Sequence, residues 1–214
     1  VTDADGYYTF GDLTAGDYVV REEDQTDWLQ TAGGGVGLDA MAADTNGVLF
    51  GLGGDSLYKF DDSTLTWAAM TTEGCFDAMG FVSDGRLLAT GRGDGRIFEL
   101  DQTTGVAQVA ITTSFPADGG MVASADGNTL YLSTGSSLVR VDPFNGISNT
   151  VGDHGTQLVD LRQGTDGSLY AIDSAGALLV VDTATGLASP LPAGTVAADV
   201  QLVEGVFNEL MIAA

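Results

Sequence analysis

One unit of about forty residues recurs four times along this 214-residue chain and begins a fifth time. Four aspartates mark it: Asp61, Asp101, Asp142 and Asp182 are separated by 40, 41 and 40 residues. A near-constant period of this size means stacked or radially arranged copies of one small unit, because a single copy cannot bury its own apolar face.

The copies align in detail. Each contains a turn dipeptide, Asn46-Gly47, Asp84-Gly85, Asp126-Gly127 or Asp166-Gly167. Such pairs favour positive φ and are the strongest short hairpin signals. An apolar strand follows, as in Leu130-Tyr-Leu-Ser and Leu169-Tyr-Ala-Ile. A second strand then runs into the marker aspartate: Leu57 to Asp61, Arg96 to Asp101, Leu138 to Asp142, Leu178 to Asp182. Turns such as Thr103-Thr-Gly105, Phe144-Asn-Gly146 and Thr185-Gly186 end it, and a short outer strand closes the unit. No window holds a 3.6-residue apolar period for ten residues without a glycine. The fold class is therefore all-β, and a four-stranded antiparallel unit of this length predicts a β-propeller of about five four-stranded blades. A β-solenoid is the alternative, but its coils pair in parallel and need no Asn-Gly or Asp-Gly hairpins.

The segment from Gly167-Ser-Leu-Tyr-Ala-Ile-Asp173 to Leu178-Leu-Val-Val-Asp182-Thr-Ala-Thr-Gly186 resembles the generic blade of bacterial extracellular propellers, with their Asp-Gly-x-Leu-Tyr strand and Val-Asp-x-x-Thr-Gly turn. That resemblance implies the fold. It does not imply one activity, since such propellers serve as enzymes, binders and scaffolds.

The start of the chain reads differently. Gly6-Tyr-Tyr8-Thr-Phe10-Gly-Asp-Leu13-Thr-Ala-Gly16-Asp-Tyr18-Val-Val20-Arg-Glu22 resembles the last strands of the collagen-adhesin B-type (SdrD B-like) domain of bacterial surface proteins. The isopeptide-forming lysine of some members has no counterpart, since Lys59 is the only lysine and lies in the repeats. A second reading stays open. Trp28 precedes Trp67 by 39 residues, one repeat, so residues 17–31 could be the closing strands of the last blade. The expected organisation is 1–31 as these strands, 32–36 as a glycine linker, and repeats at about 37–75, 76–116, 117–156 and 157–198 with a partial fifth at 199–214. Residue 1 opens inside a motif, so the chain reads as cut from a longer precursor.

Charge narrows the partners. Thirty acids face seven Lys and Arg, for a net charge of −23. Bulk electrostatics disfavour nucleic acid and an anionic membrane surface, and no apolar run is long enough for membrane insertion. The acids are mostly Asp, which suits turns and hard-cation coordination. An apolar share of 44% supports a folded core. The single cysteine, Cys75, allows no internal disulfide and is expected to be a small buried hydrophobe.

Five aspartates open the repeats: Asp39, Asp77, Asp118, Asp160 and Asp199. At the mouths of the innermost strands they could form a carboxylate ring, stable only around a cation, with calcium the expected one. Alternatively, each caps its own turn by accepting from backbone N–H groups. Asp3-Ala-Asp5-Gly6 is half of a calcium loop and lacks the distal glutamate of an EF-hand, so Asp3 and Asp5 are also candidate ligands. His154, in Gly152-Asp153-His154-Gly155, is expected on an exposed loop, with no serine or cysteine placed beside it by the sequence. Arg92-Gly93-Asp94 lies on a hairpin tip and reads as a turn. Gly33-Gly-Gly35 precedes no helix, so it reads as a linker and not a phosphate loop.

No catalytic residue and no organic cofactor is therefore expected. The reading is a non-catalytic extracellular or cell-surface module for adhesion, protein or glycan binding, or surface assembly. Its expected partners are other surface proteins, glycans or copies of itself. A filament subunit joined by strand addition is the second class. A glycan-processing enzyme using paired carboxylates is the third.

Overall fold

The computed structural model describes residues 37–191 except 65, 73, 92, 119 and 165–166, together with 200–201 and 211–212. The chain divides into two units, Val1–Gly34 and Gly35–Ala214, and every described residue lies in the second. The start-of-chain motif, Trp28, Asp3 and Asp5 therefore lie outside the described residues, as do Asp166 and Asp199.

Four antiparallel four-stranded sheets follow one another in chain order. Blade 1 is β1 (Ala40–Ala43), β2 (Leu49–Gly53), β3 (Ser56–Asp61) and β4 (Thr66–Thr71). Blade 2 is β5 (Phe76–Phe81), β6 (Leu87–Gly91), β7 (Arg96–Leu100) and β8 (Ala107–Thr112). Blade 3 is β9 (Met121–Ala123), β10 (Leu130–Thr134), β11 (Ser137–Val141) and β12 (Ser148–Asp153). Blade 4 is β13 (Leu158–Gln163), β14 (Leu169–Asp173), β15 (Leu178–Val181) and β16 (Ala188–Pro190). Within each blade every strand pairs with the next in sequence. The first strands β1, β5, β9 and β13 neighbour one another in order, so they are the innermost set of a β-propeller arrangement.

The hairpin signals act as expected. Asp44 Oδ1 accepts from the Asn46 and Val48 amides, both at 2.8 Å, and Gly47 takes φ +81°. Asp84 and Asp126 do the same for the Arg86 and Asn128 amides, at 3.1 and 3.0 Å.

The number of blades differs from the expectation of about five. The described residues form four, followed by β17 (Val200–Gln201) and β18 (Met211–Ile212), a pair of strands of which β18 lies beside β13. The expected fifth blade draws on strands from both ends of the chain, and of these β17 and β18 alone fall among the described residues, residues 1–36 and 202–210 lying outside them.

The core lies in the seams between blades. Phe50, Leu52 and Leu57 of blade 1 meet Phe76, Met79 and Leu87 of blade 2. Leu88 and Ile97 of blade 2 meet Met121, Leu130, Leu132 and Val139 of blade 3. Leu138 of blade 3 meets Leu158, Leu161, Leu169 and Leu179 of blade 4. Second strands are sandwiched on both faces, so β6 is buried along its whole length, whereas most of outer strand β8 is exposed. This is why the second strands read as continuous apolar runs without alternation.

One seam is closer than the others. At the blade 3–blade 4 seam the Thr185-Gly186 turn sits directly on Gly152 of β12. A Cβ on Gly186 would stand 2.7 Å from Gly152 Cα, and one on Gly152 would stand 2.9 Å from the Thr185 carbonyl carbon. In β8 the matching place is held by Ile111, which packs under Gly146 of the next blade.

Candidate functional site

Of the opening aspartates, Asp39, Asp77, Asp118 and Asp160 lie at or near the first strands of their blades without sharing one geometry, and Asp199 lies outside the described residues. Asp39 Oδ2 accepts from the Gly54 amide at 3.3 Å, and Asp118 Oδ1 accepts from the Gly135 amide at 2.8 Å. Gly54 and Gly135 each lie in the hairpin joining the second and third strands of their own blade. In these two blades the carboxylate ties the entry of the first strand to that hairpin, which is turn capping. Asp77 falls at a register shift between Phe76 and Ala78.

Asp160 sits one step further along. It faces Ile172 of β14, the place taken by Ala40 against Leu52 and Ala78 against Thr90. Its carboxylate is buried, accepts from the Leu161 amide at 2.8 Å, and lies 3.4 Å from the Arg162 guanidinium. Among the described residues no three His, Cys, Asp or Glu side chains come together to hold a metal ion.

The marker aspartates build the turns after the third strands. Asp101 Oδ1 accepts from the Thr103 and Thr104 amides at 2.9 and 2.7 Å, and Gly105 N–H donates to the Asp101 carbonyl at 2.8 Å. Asp182 repeats the pattern with Ala184, Thr185 and Gly186. Asp61 does so with the Ser63 hydroxyl and the Ser63 and Thr64 amides, and Asp142 accepts from the Phe144 amide. Donors aimed at an ionised carboxylate favour the charged form. The Thr104 and Thr103 amides accordingly hold Asp101 below the usual carboxylate range. The Ala184 and Thr185 amides do the same for Asp182, and the Ser63 hydroxyl and amide for Asp61.

His154 is not on an exposed loop: it is 5% exposed. It directly follows β12, and its backbone N–H donates to the Ser136 carbonyl at 2.7 Å. Thr72 and Thr113 hold the same place after β4 and β8, both buried, with hydroxyls donating to the Asp55 and Gly95 carbonyls. Aligning the repeats on their outer strands is the signal that would have placed His154 inside. Its Nε2 lies 3.2 Å from Oγ of Ser133, a fully buried residue of β10, and its Nδ1 is buried with no hydrogen-bond partner among the described residues. An unpaired lone pair costs less than an unpaired N–H. The arrangement therefore favours Nε2–H donating to Ser133 with Nδ1 bare. Activation of a serine nucleophile requires a base oriented by a third group and a reachable hydroxyl. Among the described residues Nδ1 has no such group, and Ser133 is fully buried, so the geometry differs from that of an activated serine.

Cys75 also departs from expectation. It is exposed, and its Sγ lies 3.1 Å from Asp55 Oδ1. It leads into β5, whose first residue, Phe76, takes the buried place in the seam. In the hairpin that carries Asp94, the carboxylate accepts from the Arg96 amide at 2.9 Å and pairs with the Arg96 guanidinium. Asp94 is thus committed to its own turn, while Arg92 lies outside the described residues.

A small cleft opens on blade 3, about 220 Å³ in volume, lined by Asn128, Thr129, Arg140, Asp142, Ile147 and Asn149. Arg140 and Asn149 face each other across β11 and β12.

No protein-family model matches the chain, and no curated protein matches it in sequence. Solved structures do match. Hydrazine synthase from Kuenenia stuttgartiensis superposes with a TM-score of 0.55 at 18% identity, over 80% of this chain and 51% of that one. Virginiamycin B lyase from Staphylococcus aureus gives 0.55 at 11% identity, over 72% and 55%. A catalytically inactive variant of that lyase with quinupristin gives 0.54 at 14%, over 75% and 57%. This chain thus spans about half the length of the structures it matches. At these identities the likeness is one of fold, and the matched activities belong to those proteins.

Proposed function

We propose that this chain is a non-catalytic extracellular or cell-surface propeller module that binds glycan or protein partners. The observation that carries the reading is where the carboxylates go. Acid–base chemistry needs a carboxylate free to meet a substrate. Here Asp61, Asp101 and Asp182 are engaged by turn amides, Asp39 and Asp118 by hairpin amides, and Asp160 by Arg162. The carboxylates that the repeat places at its turns and strand entries thus serve the fold. The resemblance of the blade and start-of-chain motifs to bacterial surface proteins supports the location. The test immobilises the whole chain and offers neutral and acidic polysaccharides and extracellular matrix proteins, with calcium and with chelator, while product release is followed in parallel. Binding without turnover is expected. Sustained product release that disappears on substitution of a single carboxylate would refute the reading.

A second reading is favoured by the ribbon β17–β18. Among the described residues it carries two strands where each of the four blades carries four. A fifth blade completed by two further strands, from this chain or from another copy, would close a ring or join subunits by strand addition. Mass in solution across a concentration series separates the two. A constant monomer mass supports completion within the chain, and growth with concentration supports assembly.

A further inference from the structure

Five basic residues lie among the described residues, and four have partners. Lys59 stacks over Phe50. Arg86 pairs with Asp84 and lies over Phe144. Arg96 pairs with Asp94, and Arg162 with Asp160. The Arg140 side chain has no carboxylate, ring or hydrogen-bond partner among the described residues, in a chain with thirty acids. Its place in the repeat, two residues before the marker aspartate, is held by Lys59, Glu99 and Val180 in the other blades. Lys59 uses Phe50 across the strand pair, and Glu99 lies 3.9 Å from Arg86. Arg140 instead stands in the blade 3 cleft.

The cleft has a specific chemistry. Arg140 brings five N–H donors and no acceptor, and Asn149 and Thr129 bring both, while the Asp142 carboxylate is already engaged by the Phe144 amide and the Asn145 side-chain amide. Ile147, 62% exposed, supplies an apolar wall. Mixed donors and acceptors beside one apolar wall suit a ring carrying adjacent hydroxyls, each able to donate and accept, with a C–H face against Ile147. A volume near 220 Å³ admits one such ring. The net charge of −23 and the carboxylate of Asp142 within the cleft oppose an anion.

We propose that the blade 3 cleft is a subsite for one neutral sugar residue, held by Arg140, Asn149 and Thr129 against Ile147. This rests on the binding-module reading and names its ligand class. An open site for one ring implies a dissociation constant on the order of millimolar.

The test is an NMR titration of the whole chain with methyl glycosides of glucose, galactose and mannose to tens of millimolar, with glucuronate as the anionic probe. Saturable shifts of the Arg140 Nε–H and Asn149 side-chain amide signals are expected with at least one neutral glycoside. Arg140→Met should weaken that response about tenfold, and Ile147→Ser by a smaller factor, with thermal melts showing both variants folded. No saturable shift with any neutral glycoside, or a shift with glucuronate alone, overturns the proposal. Polysaccharide or protein binding in the panel assay with no response at Arg140 overturns the cleft and leaves the module reading intact. Silence in both overturns both.

Discussion

Gly152→Ala is the sharpest probe of how the blades are joined. Gly152 has no positive φ, so alanine meets no backbone strain there. In open space the change would stabilise by about 0.4–1 kcal/mol through the unfolded chain. The obstacle is steric alone. The new Cβ would stand 2.9 Å from the Thr185 carbonyl carbon and 3.4 Å from Gly186 Cα, with the Thr185 oxygen closer still. Unstrained carbon contacts lie at about 3.5–4.0 Å. The Thr185 oxygen, the closest atom, sets the displacement: the turn must retreat by more than about 1 Å, and such a gap forfeits at least about a quarter to a half of each contact's attraction along the seam. Overpacking of this kind costs about 1–3 kcal/mol. It outweighs the entropic gain and leaves a net loss of about 1–2 kcal/mol. At about 2–4 °C per kcal/mol for a chain of this size, the midpoint should fall by roughly 2–8 °C. The assay is thermal unfolding followed by circular dichroism, with Gly37→Ala as control. Gly37 has open space around it and no positive φ, so its variant should melt at or above the parent temperature. If Gly152→Ala melts with the control, the turn is not seated on β12 and the argument fails.

Other outcomes follow from the same geometry. Asp101→Ala should lower stability near neutral pH, because the Thr104 and Thr103 amides stabilise the ionised carboxylate. A depressed carboxylate gives stability that is present above its unfolded pKa and lost as pH falls through its folded one. Urea midpoints of parent and variant should therefore converge in acid below about pH 4, and a constant gap down to the acid limit would contradict this. Ser133→Ala should cost about 1–3 kcal/mol by stranding His154 Nε2. Thr90→Val should be near neutral, since Thr90 Oγ1 is already buried without a partner among the described residues; equal losses in denaturant titrations would refute the hydrogen-bond assignment. Asp118→Ala should lose about 1 kcal/mol equally in calcium and in chelator, because its partner is the Gly135 amide, and a loss seen only in calcium would reveal a metal at that carboxylate.

Much of the fold is legible before any coordinates. The turn dipeptides, the apolar second strands and the marker aspartates are local signals, and each acts over a few residues. Third strands expected at 57–61, 96–101, 138–142 and 178–182 appear at Ser56–Asp61, Arg96–Leu100, Ser137–Val141 and Leu178–Val181. What local pattern does not carry is what the next blade supplies. Gly152 reads as a loop glycine until Gly186 is seen against it. His154 reads as exposed because its cover, Ser133 and the Ser136 hairpin, lies about twenty residues earlier. A one-residue register difference separates Asp160 from Asp39 and Asp77, and sequence spacing alone cannot detect a strand irregularity. Sequence spacing does not reveal the Arg140 cleft, because an arginine side chain without a partner among the described residues is defined by what fails to approach it.

Strand order within the blades has a mechanical corollary. Each strand pairs with the one just before it, and the outermost strand is the last to be laid down. A pull entering through Leu191 would reach β16 first, loading its rungs to β15 one at a time and not all together. Tension would then peel blade 4 outside-in and pass to blade 3 only after the fourth is spent. Each blade of about forty residues would release on the order of 130 Å of contour. An array built this way can lengthen in discrete steps under load and rewind from the turns when the load is removed.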